Sequence, residues 1–184
     1  MDATYKTNNQ QLALAVISGI NNEGKNIVLG FGLVKRETMD TYKWVLNNLL
    51  RFNEGVEPGV ILTDYDASMF GAIESQFTNS THLLCQWHMQ QNFKKHFLFL
   101  KRLHQGQAKL LYKYIVYDLI YEENQSKFDT YVNIIFENVT LVGESKLNYL
   151  RNLLMIKEKW TAAYAPIIFT SRTHTTSRIE SMNS

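Results

Sequence analysis

The first part of the chain alternates apolar runs with stretches whose apolar residues recur at helical spacing. Two apolar runs, at 11–20 and 27–34, flank the turn-forming residues 21–24, and this pattern predicts a buried antiparallel hairpin. The next stretch, 38–52, places its apolar side chains three or four residues apart and predicts a helix. The chain is therefore expected to begin as a hairpin followed by a helix.

Two further strand signals follow, and each leads into a helix signal. Val60–Thr63 predicts a short buried strand that ends at Asp64, and the spacing over 67–76 predicts a helix. Thr81–Cys85 predicts a second short strand, and a helix begins near Trp87. A hairpin followed by strand, helix, strand and helix predicts the α/β class with a mixed sheet.

From about residue 105 the apolar spacing is helical only. The apolar positions form three successive stripes, which predict a bundle of helices attached to the α/β part or inserted into it. The stripes are Leu111, Ile115 and Leu119; Phe128, Tyr131, Val132 and Ile135; and Leu147, Leu150 and Leu154. Ser126 and Ser145 are the expected caps of the second and third helices.

Composition excludes several classes of protein. The 184 residues are 45% apolar and 20% charged, which is typical of a globular domain with its own core. No apolar run approaches the ~20 residues that a membrane span requires, and the first residues are too polar for a signal peptide. The single cysteine cannot form a disulfide within the chain or supply more than one thiolate to a zinc site. We therefore expect a reduced, soluble, intracellular domain with no membrane segment and no structural zinc.

The net charge of +2 is distributed unevenly. Residues 81–113 carry six Lys or Arg and no Asp or Glu. On the helix within this block, Lys94, Lys95, Lys101 and Arg102 form two pairs spaced seven residues apart, which are expected to project away from the apolar stripe. A basic surface without acidic residues suits phosphate contacts and favours a polyanionic partner. The alternative is an ordinary solvated helix face, because no base-reading motif accompanies these residues.

Three acidic residues each have a structural explanation when taken alone. Asp2 fits a solvated terminus, and Asp64 fits a turn or helix cap at the end of its strand. Glu180 follows Ser177 at the spacing of a capping box. On these grounds alone, the structural interpretation is favoured for all three.

Cys85 and His88 are spaced as two metal ligands one helical turn apart. A closed zinc site needs four ligands, and the neighbouring sequence does not complete the set. A packed cysteine beside a hydrogen-bonded histidine is the simpler interpretation.

Five short motifs follow one another along nearly the whole chain, and their order is more specific than any one of them. They are 2–8; Gly30–Leu33 with Glu37, Tyr42 and Trp44; Thr63-Asp64 with Ala67, Ala72-Ile73 and Phe77; Leu84–His88 with Asn92; and Trp160, Ala163-Tyr164, Phe169 and Thr175–Asn183. In this order they resemble the transposase domain of Mutator-like elements, the MULE family, which is shared with the far-red-impaired-response proteins domesticated from them.

The resemblance implies an RNase H-like fold in which three carboxylates cut and join DNA. Carried over position by position, the catalytic and metal-binding acids are Asp2, Asp64 and Glu180. They would hold two Mg²⁺ or Mn²⁺ ions, since hard cations prefer carboxylate oxygens. The chain is accordingly expected to be a DDE-type transposase domain.

The same resemblance implies a domain order. Residues 1–104 would form the RNase H-like core, 105–165 an all-helical insertion before the last acid, and 166–184 the return to the core. The strand before Asp2 and the rest of the helix that bears Glu180 are expected to be missing, so that the chain would be a fragment or a domesticated remnant.

The resemblance also implies the partners. Double-stranded DNA at transposon ends would be the substrate, in the nucleus, and the four basic residues of the helix would contact its phosphates. His88, within the motif that begins at Cys85, would either contact a phosphate or lie buried as a satisfied imidazole. Full-length members carry a zinc-binding DNA recognition module outside this domain. The sequence leaves a homo-oligomer open.

Two other functions remain as alternatives. The first is a domesticated, catalytically inert DNA-binding protein that contributes to the regulation of transcription. The second is an RNase H-like nuclease acting on RNA–DNA hybrids, which the Cys85–His88 motif and the long helical section make the less favoured of the two.

Overall fold

The computed structural model describes residues 2–4, 12–21, 23–103 and 105–165, and for 2–4 it describes the backbone alone. The described chain divides after residue 85 into two compact units. The described part of the first unit is mixed α/β, and that of the second is helical.

The first unit opens with an antiparallel sheet of three strands in the order β1 (Asp2–Thr4), β2 (Ala13–Ile20) and β3 (Asn26–Val34). The turn between β2 and β3 is closed by Asn21, whose side-chain oxygen accepts a hydrogen bond from the backbone amide of Lys25 at 2.8 Å. An asparagine that binds the backbone of its own turn is a common way to reverse the chain. The predicted hairpin is therefore confirmed.

The predicted burial of this hairpin is wrong for one face of β3. Leu29, Phe31 and Leu33 are 53%, 68% and 61% exposed. The opposite face of the sheet packs on Val45 of helix α1 (Met39–Phe52). Side chains alternate between the two faces of a strand, and the described residues of this unit cover one face with a helix.

The remaining elements of the first unit follow the predicted order. β4 (Val60–Thr63) pairs in parallel with β5 (Thr81–Leu84), and α2 (Ala67–Gln76) connects them. α1 and α2 pack around a core that includes Tyr42 and Ile73. In the described part of the chain the antiparallel strands and the parallel pair form two sheets, whereas the sequence predicted one mixed sheet.

The second unit begins with α3 (Gln86–Arg102). The apolar stripe that helical spacing predicts for it, Met89, Phe93, Phe97 and Leu100, is fully buried. The domain boundaries at 104 and 165 stay a prediction, although α3 here belongs to the helical unit. None of the described helices combines the length and the apolar character that crossing a membrane requires. A series of shorter segments follows α3. They are α4 (Gly106–Lys113), a π-helical segment (Tyr114–Asp118), α5 (Leu119–Tyr121), α6 (Gln125–Glu137), α7 (Val139–Val142), α8 (Glu144–Leu154) and a 3₁₀ turn (Lys157–Lys159).

The predicted apolar stripes form most of the core of this unit. Seven of the predicted positions are buried, and three, Tyr131, Val132 and Leu154, are half-buried. The buried positions are Leu111, Ile115, Leu119, Phe128, Ile135, Leu147 and Leu150.

Both predicted helix caps in this unit are wrong. α6 is capped by Asn124, whose side-chain oxygen accepts a hydrogen bond from the amide of Lys127 at 3.0 Å. α8 follows Gly143, which has φ of +86°, a conformation that side chains with a Cβ rarely adopt. Each helix therefore starts before the predicted serine, Ser126 or Ser145, and leaves that serine inside its first turn.

The first turn of α2 depends on Asp66, whose Oδ1 accepts a hydrogen bond from the amide of Met69 at 2.8 Å. We expect Asp66→Ala to lower the free energy of unfolding by about 0.5–2 kcal/mol, since this amide loses its partner. Asp66→Asn keeps an acceptor and should stay close to the parent. Urea denaturation followed by circular dichroism measures both variants, and equal losses in the two would contradict the capping role.

Candidate functional site

Asp64 lies at the carboxyl end of β4. Val60, Ile61 and Thr63 are β-branched and suited to a strand, and Ile61 and Thr63 are buried. The strand ends at Thr63, and Asp64 follows as a half-buried residue whose Oδ1 atom is buried. In α/β proteins, the edge beyond the carboxyl ends of parallel strands is the usual place for ligands. Asp64 therefore lies where a carboxylate can meet one.

A hydrogen-bonded network joins the end of β4 to its neighbours. The Thr63 hydroxyl donates to the backbone carbonyl of Asp64 at 2.8 Å. The same hydroxyl lies 2.9 Å from Nε2 of His82, which is buried on β5. On its other side, His82 Nδ1 lies 3.3 Å from Oε1 of Glu74 on α2, and its ring centroid is 5.1 Å from that of Phe70.

The sequence pattern did not predict that His82 and Thr63 contribute to the surroundings of Asp64. The available signal is the position of His82 inside the short apolar strand Thr81–Leu84. A histidine in a buried strand needs hydrogen-bond partners, and the end of the adjacent strand is a natural place to look for one. Because the sequence does not show which strands pair, it could not identify Thr63 as the partner of His82.

The region around Tyr42 carries an excess of negative charge. Tyr42 is buried, and its hydroxyl donates to Oε1 of Glu37 at 3.2 Å. Burial raises the pKa of the Tyr42 phenol above its ordinary value, and the charges of Glu37, Asp66 and Asp64 raise this pKa further. Three carboxylates thus act on one phenol, which stays neutral at physiological pH. Negative surroundings of this kind favour the binding of a cation.

The other two predicted acids are covered only in part by the described residues. Asp2 is the first residue of β1, and its backbone pairs with that of Val16 on β2. Glu180, and the whole predicted return to the core over 166–184, lie outside the described residues. Within the described ranges, no three His, Cys, Asp or Glu side chains are grouped so as to hold a metal ion. Convergence of the three acids stays a prediction.

Cys85 and His88 belong to different units. Cys85 is buried, and its amide donates to the carbonyl of Thr63 at 2.6 Å, which extends the pairing of β4 with β5. His88 is half-buried in α3, with its ring centroid 4.9 Å from that of Trp87 in an edge-on arrangement. The burial of Cys85 agrees with a packed thiol. Contact of His88 with a phosphate stays a prediction.

The predicted basic residues of α3 lie on two flanks of the helix. Lys95 and Arg102 are exposed, and they share a face with His88 because the three are spaced seven residues apart. Lys94 is half-buried, and its Nζ donates to Oε1 of Gln90 at 2.9 Å. Lys101 is exposed as well, on the flank of Lys94. We call Lys95 and Arg102, which share the face of His88, the exposed basic pair.

Lys94 and Lys101 lie on the flank of α3 against which the following helical segments pack. Lys94 Nζ is 5.8 Å from the centroid of the Tyr117 ring, and Lys101 Nζ is 6.0 Å from that of Tyr112. Such distances allow a cation–π attraction of about 0.5–1 kcal/mol at exposed sites. Lys95, Lys101 and Arg102 are exposed, as predicted for side chains that project away from the apolar stripe, whereas Lys94 is half-buried beside Gln90 and Tyr117.

His96 adds no positive charge to α3 at neutral pH. Its ring stacks on Tyr149 at a centroid distance of 4.3 Å, and Lys146 Nζ lies 3.5 Å from its Nδ1. Burial lowers the pKa of His96, and the charge of Lys146 lowers this pKa further.

Comparisons with known proteins agree with the motif order. The sequence model of the MULE transposase domain matches residues 1–92. Over 183 aligned residues the chain is 27% identical to Protein FAR-RED IMPAIRED RESPONSE 1 of Arabidopsis thaliana. The alignment covers 100% of this chain and 21% of that protein. Over 88 aligned residues it is 33% identical to Protein FAR1-RELATED SEQUENCE 5 of the same plant. This alignment covers 48% of this chain and 11% of that protein. The chain thus spans about a fifth or less of the length of these relatives. With half of its residues matched by the family's sequence model, the chain belongs to the MULE transposase domain family.

Proposed function

We propose that this chain is a catalytic domain of the DDE transposase type, which cleaves DNA strands and transfers them through the carboxylates of Asp2, Asp64 and Glu180. The observation that carries the proposal is the half-buried position of Asp64 at the carboxyl end of β4, which pairs in parallel with β5. Ligands of α/β proteins usually bind at this edge of a parallel sheet. Membership of the MULE transposase domain family supports the same function.

An RNase H-like fold accompanies this proposal. In that fold the first two acids stand on strands of the core, and the last acid follows the helical insertion. The position of Asp2 on β1 and of Asp64 after β4 supports this arrangement. The helical unit that begins at Gln86 supplies most of the residues between Asp64 and the predicted position of Glu180.

Mg²⁺ or Mn²⁺ fits the donor chemistry of the site. Asp64 offers the carboxylate oxygens that hard divalent cations prefer, and its negative charge, like those of Asp66 and Glu37, acts on Tyr42. Asp2, Asp64 and Glu180 would hold the ions. When bound, two such ions activate an attacking oxygen and stabilise the leaving oxygen at a phosphodiester. The chain itself has to hold the three carboxylates in fixed positions.

The experiment that tests this function is Mn²⁺-dependent nicking of supercoiled duplex DNA. The purified chain is compared with its Asp64→Asn variant, which removes one negative charge and keeps the shape of the side chain. Nicking that requires both Mn²⁺ and Asp64 would support strand chemistry at this site.

A second function is favoured by helix α3: a DNA-binding module that acts in the nucleus without strand chemistry and contributes to transcriptional regulation. α3 has no acidic residue along its length, and the exposed basic pair lies on its outer face. Phosphate contacts from such residues give affinity without reading the base sequence. In this case double-stranded DNA is a binding partner, and Asp64→Asn leaves the function intact.

Replacing Lys95 and Arg102 together by Gln should weaken binding to duplex DNA of arbitrary sequence by roughly 10- to 30-fold at 0.1 M salt. The loss of two phosphate contacts should also reduce the slope of log K against log salt by about 2. Fluorescence anisotropy of a labelled duplex at several salt concentrations measures both quantities.

A matched control changes Lys35 and Arg36, which are also exposed, to Gln. This pair lowers the net charge by the same amount, but it lies outside α3. We expect it to retain most of the affinity and the original salt slope. Equal losses in the two double variants would mean that general charge, rather than the face of α3, determines binding.

A further inference from the structure

His82 is a buried polar side chain that the proposed reaction does not use. Its side chain is 1% exposed, whereas that of its partner Glu74 is 43% exposed. Burying an imidazole is unfavourable unless hydrogen bonds replace the lost contacts with water. The partners of His82 therefore indicate what this residue does in the fold.

The direction of each hydrogen bond in the network follows from the chemistry of its atoms. A carbonyl oxygen can only accept, so the Thr63 hydroxyl gives its single proton to the carbonyl of Asp64. The hydroxyl oxygen is then the acceptor towards His82, which makes Nε2–H the donor over 2.9 Å. Nδ1 faces the Glu74 carboxylate at 3.3 Å. A carboxylate can only accept, so this contact is a hydrogen bond only when Nδ1 carries a proton as well as Nε2. His82 thus orients the Thr63 hydroxyl towards Asp64.

Hydrogen bonds hold the peptide groups on both sides of the Asp64 Cα atom. On one side, the Thr63 carbonyl accepts from the Cys85 amide at 2.6 Å. On the other, the Asp64 carbonyl accepts from the Thr63 hydroxyl at 2.8 Å. The backbone that carries the Asp64 side chain is therefore restrained at both ends. A metal-binding carboxylate has to be held within about 0.5 Å of its productive position, and a restrained backbone contributes to that precision.

We propose that His82 is a positioning residue that acts through the Thr63 hydroxyl to hold Asp64 in place for a divalent cation. This inference rests on the proposed metal-dependent function of Asp64. His82 itself touches neither the ion nor the DNA. Its contribution resembles that of the outer groups around known metal sites, whose loss weakens metal affinity by about 10- to 100-fold.

Two substitutions at His82 separate its two ring nitrogens. His82→Gln places an amide N–H where Nε2 was and keeps a donor for Thr63, while His82→Asn places its amide near the position of Nδ1. We expect His82→Asn to weaken Mn²⁺ binding about tenfold and His82→Gln to stay within about threefold of the parent. Isothermal titration of the purified chain with Mn²⁺ alone measures these affinities.

Threonine variants provide a second route that leaves His82 in place. Thr63→Val removes the hydroxyl at nearly constant volume and should weaken Mn²⁺ binding to the same degree as His82→Asn. Thr161→Val is the matched control, because Thr161 is equally buried but lies in the helical unit. It should bind Mn²⁺ as the parent does, even if both valine variants lose similar stability.

A spectroscopic readout tests the network without reference to any activity. The ¹³C resonance of the Asp64 carbonyl should shift in His82→Asn and Thr63→Val and return towards the parent value in His82→Gln. An unchanged resonance in all variants overturns the inference. The inference is also overturned if Mn²⁺ binding depends on Asp64 but is the same in His82→Asn as in the parent. In that case the proposed function stands. If Asp64→Asn itself leaves Mn²⁺ binding unchanged, the proposed function fails first, and the positioning role fails with it.

Discussion

Asp64→Asn is expected to reduce the rate of Mn²⁺-dependent DNA nicking by about 10²- to 10³-fold, the equivalent of several kcal/mol of transition-state stabilisation. The amide has the size and shape of the carboxylate, so β4 and its surroundings should keep their structure. It has lost the negative charge that a divalent cation needs from this ligand. The rate is measured as conversion of supercoiled plasmid to the open circular form at saturating Mn²⁺.

Asp40→Asn is the matched control for this experiment. Asp40 is an exposed residue in the first turn of α1, within the same unit, and its substitution should cost at most the ~0.3–1 kcal/mol of a helix-dipole interaction. We expect it to nick DNA at the parent rate. Equal rates for the parent and Asp64→Asn would show that Asp64 is not a catalytic acid.

The same variant distinguishes the two proposed functions. A DNA-binding module without strand chemistry predicts that Asp64→Asn binds duplex DNA as the parent does and that neither protein nicks it. A transposase domain predicts retained binding and lost nicking in the variant. Both assays are therefore run on the same preparations.

Phe93→Ala is expected to lower the free energy of unfolding of the helical unit by about 3–5 kcal/mol. Phe93 is fully buried, and its ring packs edge-on against those of Trp160, Phe97 and Tyr149, with centroid distances of 5.5, 6.2 and 6.4 Å. Alanine removes the buried apolar surface and leaves a cavity among rings that cannot all collapse into it. Urea denaturation followed by far-ultraviolet circular dichroism measures the loss.

Phe99→Ala provides the comparison on the same helix. Phe99 is 36% exposed, so water already reaches part of its ring and little cavity forms when it is removed. We expect a loss of about 1 kcal/mol or less. If the two variants lost the same stability, the aromatic cluster around Phe93 would not be the core of this unit.

Local patterns in the sequence predicted the elements well. The hairpin, α1, β4, α2 and α3 all appear within a few residues of their expected positions, because apolar periodicity and turn residues act over short stretches of chain. The exposed face of β3 was not foreseen. A continuous apolar run such as 27–34 shows that a strand could be covered on both faces, but it does not show which neighbours are available to cover it.

The part of the candidate site that lies within a single sequence motif could be predicted from the sequence. The motif order singled out Asp64 and placed it after β4, as observed. Its connection to His82 could not be predicted, because it depends on the register that sets His82 opposite Ile61 and so brings it within reach of Thr63. A register is a property of two strands together.

The sequence by itself determined family membership, the order of strands and helices, and the basic character of α3. Each of these follows from which residues occur and in what order along the chain, without reference to how distant segments pack. The tertiary structure alone decided that Lys94 is half-buried while Lys95 is exposed, and that a buried imidazole is tied to the residue before Asp64. Which side of a helix is covered, and which side chains meet, depends on segments that are distant in sequence and brought together only by packing.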